Sequence, residues 1–562
     1  MDSPVTKPWH SANFCNIAGA LRWQADRQPG AIAVHYADFR YYGPQRYSSC
    51  TYLEFNELTD AYARGLRAFG VNLGDRVVLM AEHGFAFIAL FHALLRSGAI
   101  PVVTDPGMPA RLLGHCISNA EPHAFIGSPR ANLTRLVRGW GRKSCQRALS
   151  TGRGVPGVAI GIKALYKLGM SDTREMFHHS KPDELAAILY TSGRDGEPKG
   201  VVYRHRHLSA QVDLFKEAFD INPGEVSLPT SPMFGILDPA LGLTTVIAKV
   251  NPNRPTQAAA KRLLDAVEKF RVNNIFLSPS MLETLSRHIE KNGIRLPIIR
   301  RLITFGASPR LEIIARLEKA LHDEARIHAP YGSAECFPVS SVTNHEVDST
   351  LEDMMESGEG VCLGRPVEPN EVKIIAPSDS GFRNLEEVTE LPPGMPGEII
   401  VCGPSCTDSY WRRDDETERS RIPDGSGRLW HRMGDVASID GLGRLWFCGQ
   451  MSQRVETGEE TLYADQAEAI FNQHPDVLHT ALVGVGDTGR QMPVLCAQLR
   501  HKLRPADVER VQFDLLQLAQ SYSLTRSVRT VMFHPGFPLD PRNPAVIRRD
   551  ALSRWAARKM KT

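Results

Sequence analysis

Strand and helix patterns alternate twice along this chain of 562 residues, and that alternation is its strongest constraint on the fold. In the first run, short apolar segments predict strands at 76–80, 100–104 and 123–126. Apolar residues at helical spacing predict helices between them, at 85–95 and 110–119. A βαβαβ order is typical of a parallel sheet covered by helices, so we expect an α/β fold.

A second run of the same kind lies further along the chain. It predicts strands at 274–277, 301–305 and 327–329, with helices at 283–291 and 311–321. A chain of this length is also too long for one hydrophobic core. The sequence therefore predicts a large composite N-terminal region with parallel, helix-layered sheets.

The overall charge is nearly balanced. Lys and Arg number 66 and Asp and Glu 63, so the net charge of +3 predicts neither nucleic acid nor an anionic membrane as partner, and any basic binding surface must be local. Between 128 and 170 the strand and helix patterns weaken and a basic stretch appears. We interpret it as a solvated surface segment, with contact to a membrane or an acidic partner as the alternative. Its cations are Arg130, Arg135, Arg138, Arg142, Lys143, Arg147 and Arg153.

The cysteines and the N-terminus indicate a soluble cytoplasmic protein. The ten cysteines are scattered and form no Cys-x-x-Cys pair, so we expect reduced thiols in the core. The N-terminal residues lack the charged start and apolar stretch of a signal peptide, and no apolar run is long enough to cross a bilayer.

The strongest chemical signal is the sequence LYTSGRDGEPKGVV at 189–202. A predicted strand at 186–190 leads into a glycine-rich loop whose backbone amides can approach an anion closely. Thr191 and Ser192 add hydroxyl donors and Lys199 adds a positive charge, so the loop suits phosphate. A glycine-rich hairpin with a solvated lysine explains the spacing equally well, and the Walker A spacing is absent.

The loop resembles the phosphate loop of the ANL superfamily of adenylate-forming enzymes, usually Tyr-Thr-Ser-Gly-Ser-Thr-Gly-x-Pro-Lys-Gly. Other motifs of that superfamily follow in order. The Gly-Ala-Ser segment at 306–308 resembles its adenine-binding segment. Residues 331–335 resemble its Tyr-Gly-x-Thr-Glu motif, in which the tyrosine stacks on adenine and the glutamate holds magnesium. Residues 397–401 resemble a core strand, and 433–435 a motif whose aspartate bonds the ribose.

The resemblance extends from about residue 15 to 555 and implies ATP and Mg²⁺ as cofactors. It implies Lys199 and Glu335 as catalytic residues, with Glu335 also the metal ligand. The implied nucleotide-binding residues are Thr191, Ser192, Gly193, Arg194, Gly196, Lys199, Gly306, Ala307, Ser308, Tyr331, Gly332, Ser333, Asp435 and Arg454. Taken singly, Glu335 and Asp435 would usually be surface carboxylates. Together the set suits adenylation, because a carboxylate approaching a polyphosphate needs that negative charge dispersed.

Seven further segments resemble the olefin β-lactone synthetases of bacterial long-chain hydrocarbon biosynthesis. They are 203–207, 238–243, 369–375, 431–436, 444–449, 471–475 and 533–538. This resemblance implies that ATP activates a long-chain 2-alkyl-3-hydroxy fatty acid, whose own hydroxyl then displaces AMP without coenzyme A. It places Phe234 in the acyl pocket, with a plain core phenylalanine as the alternative. It also implies partner enzymes of the hydrocarbon pathway, namely a thiolase, a reductase and a lactone decarboxylase.

The same resemblance predicts the domain organisation. An adenylate-forming region would cover 1–451, and a hinge at Ser452 would begin a mobile α+β lid at 452–562 that rotates between half-reactions. Residues 471–499 fit such a lid, because their pattern predicts a helix end followed by two strands.

Several positions depart from the superfamily pattern. Arg194 and Asp195 replace a serine and a threonine, Ala334 replaces a threonine, and Gln450 replaces an arginine at the hinge motif. Val546 stands where a lysine is expected to bridge the carboxylate and phosphate. Arginine is not equivalent to lysine there, but the candidate substitutes are Arg542, Arg548 and Arg549. We therefore expect slow or altered adenylation. The alternatives are a fatty-acyl-CoA or acyl-AMP ligase and a catalytically impaired paralogue that binds ATP or fatty acid.

Overall fold

A computed structural model describes residues 15–37, 46–82, 84–104, 107–191, 197–251, 255–305, 311–540 and 543–560. The chain forms two compact units. The first comprises 1–339, 367–369 and 403–418, and the second comprises 340–366, 370–402 and 419–562. Among the helices in these ranges, none is long and apolar enough to cross a membrane.

Strands and α-helices are numbered here in chain order. The strands are β1 (Ile32–Ala37), β2 (Tyr47–Thr51), β3 (Arg76–Met80), β4 (Ile100–Thr104), β5 (Ala124–Gly127), β6 (Arg147–Ser150), β7 (Ile160–Gly161), β8 (Leu185–Thr191), β9 (Lys199–Arg204), β10 (Val226–Pro229), β11 (Thr244–Ile247), β12 (Asn274–Leu277), β13 (Arg301–Thr304), β14 (Arg326–Ser333), β15 (Cys336–Thr343), β16 (Val361–Pro366), β17 (Glu371–Ile375), β18 (Gly397–Cys402), β19 (Arg421–Pro423), β20 (Leu429–Ile439), β21 (Leu445–Gln450), β22 (Val455–Glu456), β23 (Thr461–Leu462), β24 (Val477–Val485), β25 (Met492–Leu499), β26 (Thr530–Phe533), β27 (Leu539–Asp540) and β28 (Asn543–Ile547). The helices are α1 (Ala18–Arg27), α2 (Tyr52–Ala68), α3 (Phe85–Ser97), α4 (Ala110–Ala120), α5 (Pro129–Arg138), α6 (Ile162–Met170), α7 (His205–Phe219), α8 (Pro232–Gly235), α9 (Asp238–Leu241), α10 (Gln257–Phe270), α11 (Pro279–Asn292), α12 (Leu311–Glu318), α13 (Ser349–Glu356), α14 (Asp414–Ser420), α15 (Ala464–Phe471), α16 (Pro505–Ser521) and α17 (Arg549–Met560).

One sheet of the first unit has the order β7-β6-β5-β3-β4-β8-β9. Its strands are parallel except for the antiparallel pair β8 and β9. The predicted βαβαβ run from 76 to 126 is confirmed, with β3 central between β4 and β5. Helix α3 is buried over most of its length because nearly all of its side chains are apolar. It ends at Ser97, and the next residue, Gly98, has a φ of 71° that allows the chain to turn into β4.

The second predicted run is also confirmed. In the first unit, strands β14, β13, β12, β10, β11 and β1 are parallel neighbours, and β2 is antiparallel at the edge. Helix α11 begins earlier than expected, because the Ser278 hydroxyl caps it by accepting from the Met281 amide. Strand β14 extends to Ser333, further than its apolar residues predict, and so carries the Tyr-Gly-Ser segment at its end.

The segment 128–170 is more regular than its sequence suggests, since it contains α5, β6, β7 and α6. Ser128 caps α5 by accepting from the Ala131 amide, and β6 pairs in parallel with β5. The larger apolar side chains of α5 are at helical spacing but face solvent. Leu133, Leu136 and Val137 are 48%, 58% and 85% exposed.

The second unit contains an antiparallel sheet in the order β17-β18-β20-β21-β16 and a smaller sheet of β24, β25 and β26. The predicted strand at 397–401 is confirmed as β18, which pairs with β17 and β20. Helix α15 ends at Phe471 and is followed by two strands, as expected. Residues 455–531 form a hydrophobic core of their own, which includes Phe471, Leu482 and Leu495. The predicted α/β class with a small C-terminal domain is therefore confirmed, while the 451/452 boundary and the rotation stay predictions.

The expectation that every cysteine is reduced was wrong for one pair. Cys336 and Cys406 form a disulfide with their Cα atoms 4.2 Å apart, and the other eight cysteines belong to no disulfide. Seventy residues separate the two half-cystines in sequence. Because neither belongs to a local cysteine motif, spacing alone could not pair them.

Glycines permit the close contact between α2 and α6. A β-carbon on Gly169 would lie 1.7 Å from the carbonyl oxygen of Ala61, and one on Gly65 would lie 2.3 Å from that of Leu165. We expect Gly169→Ala to destabilise the protein by about 1–3 kcal/mol, because the helices must move apart. Calorimetry should record a lower unfolding temperature. Gly30→Ala is the control, since no atom lies within 4 Å of its added carbon. Equal unfolding temperatures for both variants would contradict this account of the packing.

Candidate nucleotide site

The β8–β9 hairpin positions the predicted phosphate loop. Thr191 pairs with Lys199 and Tyr190 with Gly200, so the loop leaves and re-enters the sheet at neighbouring positions. A β-carbon on Gly200 would lie 3.0 Å from the Tyr190 ring, so a larger residue here would require that ring to shift. Ser192, Gly193, Arg194, Asp195 and Gly196 lie outside the described residues.

Lys199 is held by its surroundings. Its ammonium nitrogen lies 2.6 Å from a carboxylate oxygen of Glu416 and 5.5 Å from the centroid of the Tyr410 ring. The lysine side chain is 17% exposed. A solvated surface lysine, the alternative that the spacing left open, would be far more exposed and would have no fixed partner.

Residues 409–411 run beside β9 and bring Tyr410 into place. The Val202 amide donates to the Ser409 carbonyl at 3.1 Å, and the Trp411 amide donates to the Gly200 carbonyl at 2.7 Å. Between these bonds, Val201 and Tyr410 form an antiparallel bridge. The segment is therefore fixed to the strand that begins with Lys199.

Tyr410 connects the lysine to the predicted metal ligand. Its hydroxyl donates to a carboxylate oxygen of Glu335 at 2.7 Å, while its ring lies against Lys199. The amide of Thr407 donates to the backbone carbonyl of Glu335 at 2.7 Å. The structure thus brings Lys199 and Glu335, two residues predicted from separate motifs, to one tyrosine.

The backbone before Glu335 has little freedom. Gly332 has a φ of 155°, and a β-carbon there would lie 2.6 Å from the carbonyl oxygen of Cys336, so only glycine fits. The Ser333 hydroxyl accepts from the Glu335 amide at 3.3 Å. The Ala334 carbonyl accepts from the Tyr203 hydroxyl, and burial raises the pKa of that tyrosine above its usual range. Tyr331 is half-buried at the end of β14.

Three residues of the site, Tyr410, Arg413 and Glu416, were not predicted from the sequence. Arg413 joins two carboxylates, since its guanidinium lies 3.1 Å from Glu197 and 3.3 Å from Glu416. The available signal was the run of charged residues at 412–418, which directly follows a Tyr-Trp pair. Nothing local in that run indicates that it pairs with β9, more than 200 residues away.

The adenine-binding segment and the side chain of Val546, both singled out from the sequence, lie outside what the structure describes. Gly306, Ala307 and Ser308, predicted to bind adenine, lie outside the described part of the chain. Val546 lies in β28, but its side chain is not among those described.

Phe234 lies in an aromatic cluster. Its ring centroid is 4.0 Å from that of Phe305, 5.4 Å from Phe276 and 5.9 Å from Phe215. Phe276 and Phe215 are buried, whereas Phe234 and Phe305 are half-buried. Phe234 therefore sits at the edge of the core, and its role in an acyl pocket stays a prediction.

Asp435 and Arg454 belong to the second unit. Asp435 lies in β20 opposite Gln450 and is 1% exposed. The Arg454 guanidinium lies 2.7 Å from the carboxylates of both Asp379 and Glu456. Burial raises the pKa of Asp465 to about 7, and the carboxylates of Glu468 and Asp435 contribute to that rise. Convergence of Asp435 with Lys199 and Glu335 on one nucleotide stays a prediction.

Arg549, one of the arginines considered as substitutes for the missing lysine, is bound to a glutamate of its own domain. Its guanidinium donates to both carboxylate oxygens of Glu468 at 2.8 and 2.7 Å, and both side chains are largely buried. Arg548 is 45% exposed and lies 3.3 Å from Asp550. Arg542 lies outside the residues that the structure describes.

Comparison with known proteins assigns the family. A model described as "AMP-binding enzyme" matches residues 21–411. The chain belongs to the AMP-binding enzyme family. The resemblance to the adenylate-forming superfamily is thereby confirmed, and the phosphate-loop hairpin, Glu335 and Tyr410 all lie within the matched range.

Members and neighbours of this family cover nearly the whole chain. The olefin β-lactone synthetase of Xanthomonas campestris is 40% identical over 97% of this chain and 98% of its own length. The 4-chlorobenzoate–CoA ligase of an Arthrobacter species is 26% identical over 83% of this chain and 82% of its own. The amide bond synthetase of Marinactinospora thermotolerans has the same fold, with a TM-score of 0.76, 21% identity, and coverage of 96% and 99% of the two chains.

Glu335 is suited to share a magnesium ion with phosphate oxygens. Mg²⁺ is usually bound by one or two carboxylates, with substrate phosphates and water supplying the remaining ligands. No group of three or more His, Cys, Asp or Glu side chains within the described ranges could hold a metal by itself. A single carboxylate oriented by Tyr410 fits the first arrangement and not an all-protein metal cage.

We expect Tyr410→Phe to slow ATP–pyrophosphate exchange by about 10–100-fold, because a hydrogen bond to a charged group contributes roughly 1.5–3 kcal/mol. The variant keeps the ring beside Lys199 and removes only the donor to Glu335. Tyr52→Phe is the matched control, since it removes a buried hydroxyl that donates to the Leu243 carbonyl at 2.8 Å. If both variants retain wild-type exchange, Tyr410 does not orient Glu335 for catalysis.

Proposed function

We propose that this protein uses ATP to activate a long-chain 2-alkyl-3-hydroxy fatty acid as an acyl-adenylate and then closes the acid to a β-lactone, releasing pyrophosphate and AMP. The observation that carries the proposal is the 40% identity to an olefin β-lactone synthetase over 97% of the chain. We propose the cytoplasm as its location and a complex with other hydrocarbon-pathway enzymes as its setting.

Lys199 and Glu335 have complementary roles in the first step. The substrate carboxylate must attack the α-phosphorus of ATP, which is surrounded by negatively charged oxygens. The Lys199 ammonium, at the end of the phosphate loop, offsets part of that charge. Glu335, oriented by Tyr410, would hold a magnesium ion against the phosphates, and the ion would supply further charge neutralisation.

Glu416 keeps the lysine in position before the nucleotide arrives. The Lys199–Glu416 pair is only partly exposed, and Arg413 contacts the same glutamate at 3.3 Å. A bound triphosphate would attract both Lys199 and Arg413 away from Glu416. The Lys199–Glu416 ion pair therefore positions the lysine before ATP binds and would weaken once ATP is bound. Positioning of this kind reduces the reorganisation needed during the reaction.

Ring closure needs no second substrate. The 3-hydroxyl oxygen bonds to the activated carbonyl carbon while the bond from that carbon to the AMP oxygen breaks, and the hydroxyl proton passes to solvent. The nucleophile and the carbonyl belong to one molecule, so the step gains from proximity. The half-buried faces of Phe234 and Phe305 offer an apolar wall for the alkyl chains.

The C-terminal residues 452–562 act, we propose, as a lid that moves between the two steps. Their independent hydrophobic core supports this role, because a segment that moves as a body must keep its own packing. Arg549 and Glu468 form a buried ion pair within that body.

A catalytically impaired protein that binds ATP or fatty acid is the second candidate. Val546 favours it, because valine cannot supply the charge of the expected lysine, and Arg549 is already bonded to Glu468. An acyl-CoA ligase receives less support, since the 4-chlorobenzoate–CoA ligase is 26% identical.

One assay separates these functions. Purified protein is incubated with ATP, magnesium and a racemic 2-alkyl-3-hydroxy fatty acid, and the products are identified by mass spectrometry. AMP with a β-lactone in the absence of coenzyme A is the expected result. A thioester formed only on addition of coenzyme A would assign a ligase instead. Neither product, with ATP binding retained in calorimetry, would assign an impaired protein.

Val546→Lys tests the missing charge directly. We expect it to raise the adenylation rate at least tenfold, because a lysine can contact both the carboxylate and the α-phosphate, and tenfold corresponds to roughly 1.4 kcal/mol of transition-state stabilisation. Val546→Met is the control, since it lengthens the side chain without adding charge. An equal increase in both variants would mean that side-chain size, and not charge, limits the reaction.

A further inference from the structure

Positive charge is concentrated in one part of the first unit. Residues 122–171 contain nine Lys and Arg and no Asp or Glu, whereas the whole chain has a net charge of only +3. The acidic residues that balance the rest of the chain are therefore absent from this segment. Because α5 and the turn after it lie within it, they carry basic side chains and no acidic ones.

The outer face of α5 is apolar as well as basic. Leu133 and Val137, one helical turn apart, are 48% and 85% exposed, and Leu136 beside them is 58% exposed. Arg130 lies one turn before Leu133 on the same face and is also exposed. The opposite face is fixed to the sheet, since the Asn132 amide donates to the carbonyls of Gly127 and Leu149.

The turn after α5 adds three more cations to this surface. Arg138, Arg142 and Lys143 are exposed, and none of them or Arg130 forms an ion pair with another residue in the described ranges. Trp140 is buried between them and packs within the core that includes α4, so the turn is anchored. We call Arg130, Leu133, Leu136, Val137, Arg138, Arg142 and Lys143 the α5 surface.

Two neighbouring arginines differ from this group. The Arg135 guanidinium lies over the Phe125 ring at 5.6 Å, and that of Arg147 donates to the Phe69 carbonyl at 3.0 Å. Both cations therefore have contacts within the protein. The cations of the α5 surface instead surround exposed aliphatic side chains.

We propose that the α5 surface binds the anionic surface of a lipid bilayer. A short basic helix with exposed aliphatic residues lies in the membrane interface, where the aliphatic groups enter the acyl boundary and the cations contact lipid phosphates. Nucleic acid or an acidic protein would use the cations but would leave Leu133 and Val137 exposed. Membrane binding by the α5 surface would be independent of the proposed reaction, although lipid-like substrates would be concentrated at such a surface.

Vesicle flotation with the full-length protein tests this proposal. The vesicles contain phosphatidylcholine alone, or equal parts of phosphatidylcholine and phosphatidylglycerol. We expect binding to the anionic vesicles only, weakened by added salt. Arg142→Gln with Lys143→Gln should reduce binding roughly 25-fold, since each basic side chain near an anionic surface contributes about fivefold in affinity. Leu133→Asp with Val137→Asp should abolish flotation, because it removes the aliphatic contact and adds repulsive charge.

Matched changes elsewhere provide the controls. Phe513 is an apolar side chain outside the α5 surface and is 61% exposed, so Phe513→Asp should not alter flotation. Circular dichroism checks that each variant is folded, and AMP release from detergent-dispersed substrate should stay at the wild-type level in all of them. Equal flotation of the wild type and the Leu133/Val137 variant would overturn the proposal. So would binding to heparin without binding to anionic vesicles, because that would assign the surface to an acidic macromolecule.

Discussion

The hydrogen bonds between β9 and residues 409–411 determine the geometry of the candidate site. Lys199, Glu335 and Tyr410 come from three distant parts of the sequence, and ordering them carries a cost in chain entropy. The bonds to Gly200 and Val202 fix Tyr410 beside the hairpin, and the bond from Thr407 to the Glu335 carbonyl fixes the third part. The backbone bonds thus bring the three side chains together. Their polar contacts with one another do not have to overcome that entropic cost by themselves.

This dependence explains which features could be predicted from sequence. The parallel strands were predictable because they are short apolar segments separated by helices of regular spacing, as in β3, β4 and β5. Lys199 and Glu335 were predictable because each belongs to a local motif. Tyr410 and Glu416 were missed because their roles arise from pairing with β9, and such pairing leaves no periodic pattern in either segment. Helix α5 was missed because its three larger apolar side chains, although at helical spacing, lie in a basic stretch that was interpreted as solvated surface.

The buried ion pair of Arg549 and Glu468 bears on whether an arginine replaces the lysine that the superfamily pattern has at position 546. Removing one member of such a pair leaves the other charge buried and is strongly unfavourable. Burial raises the pKa of Glu468, and the Leu482 amide also donates to its carboxylate. Arg549 is therefore part of the framework of this domain, and its nearness in sequence to Val546 does not make it a replacement for lysine.

The proposed acyl-pocket role of Phe234 would make the surrounding aromatic cluster the place to alter chain-length selectivity. The rings of Phe234 and Phe305 are 4.0 Å apart, and each ring therefore restricts the rotamers of the other. Energetic effects of neighbouring substitutions are generally not additive. Libraries that randomise one phenylalanine at a time would sample mostly poorly packed combinations, whereas joint randomisation of the two positions would reach volumes that neither single change can produce.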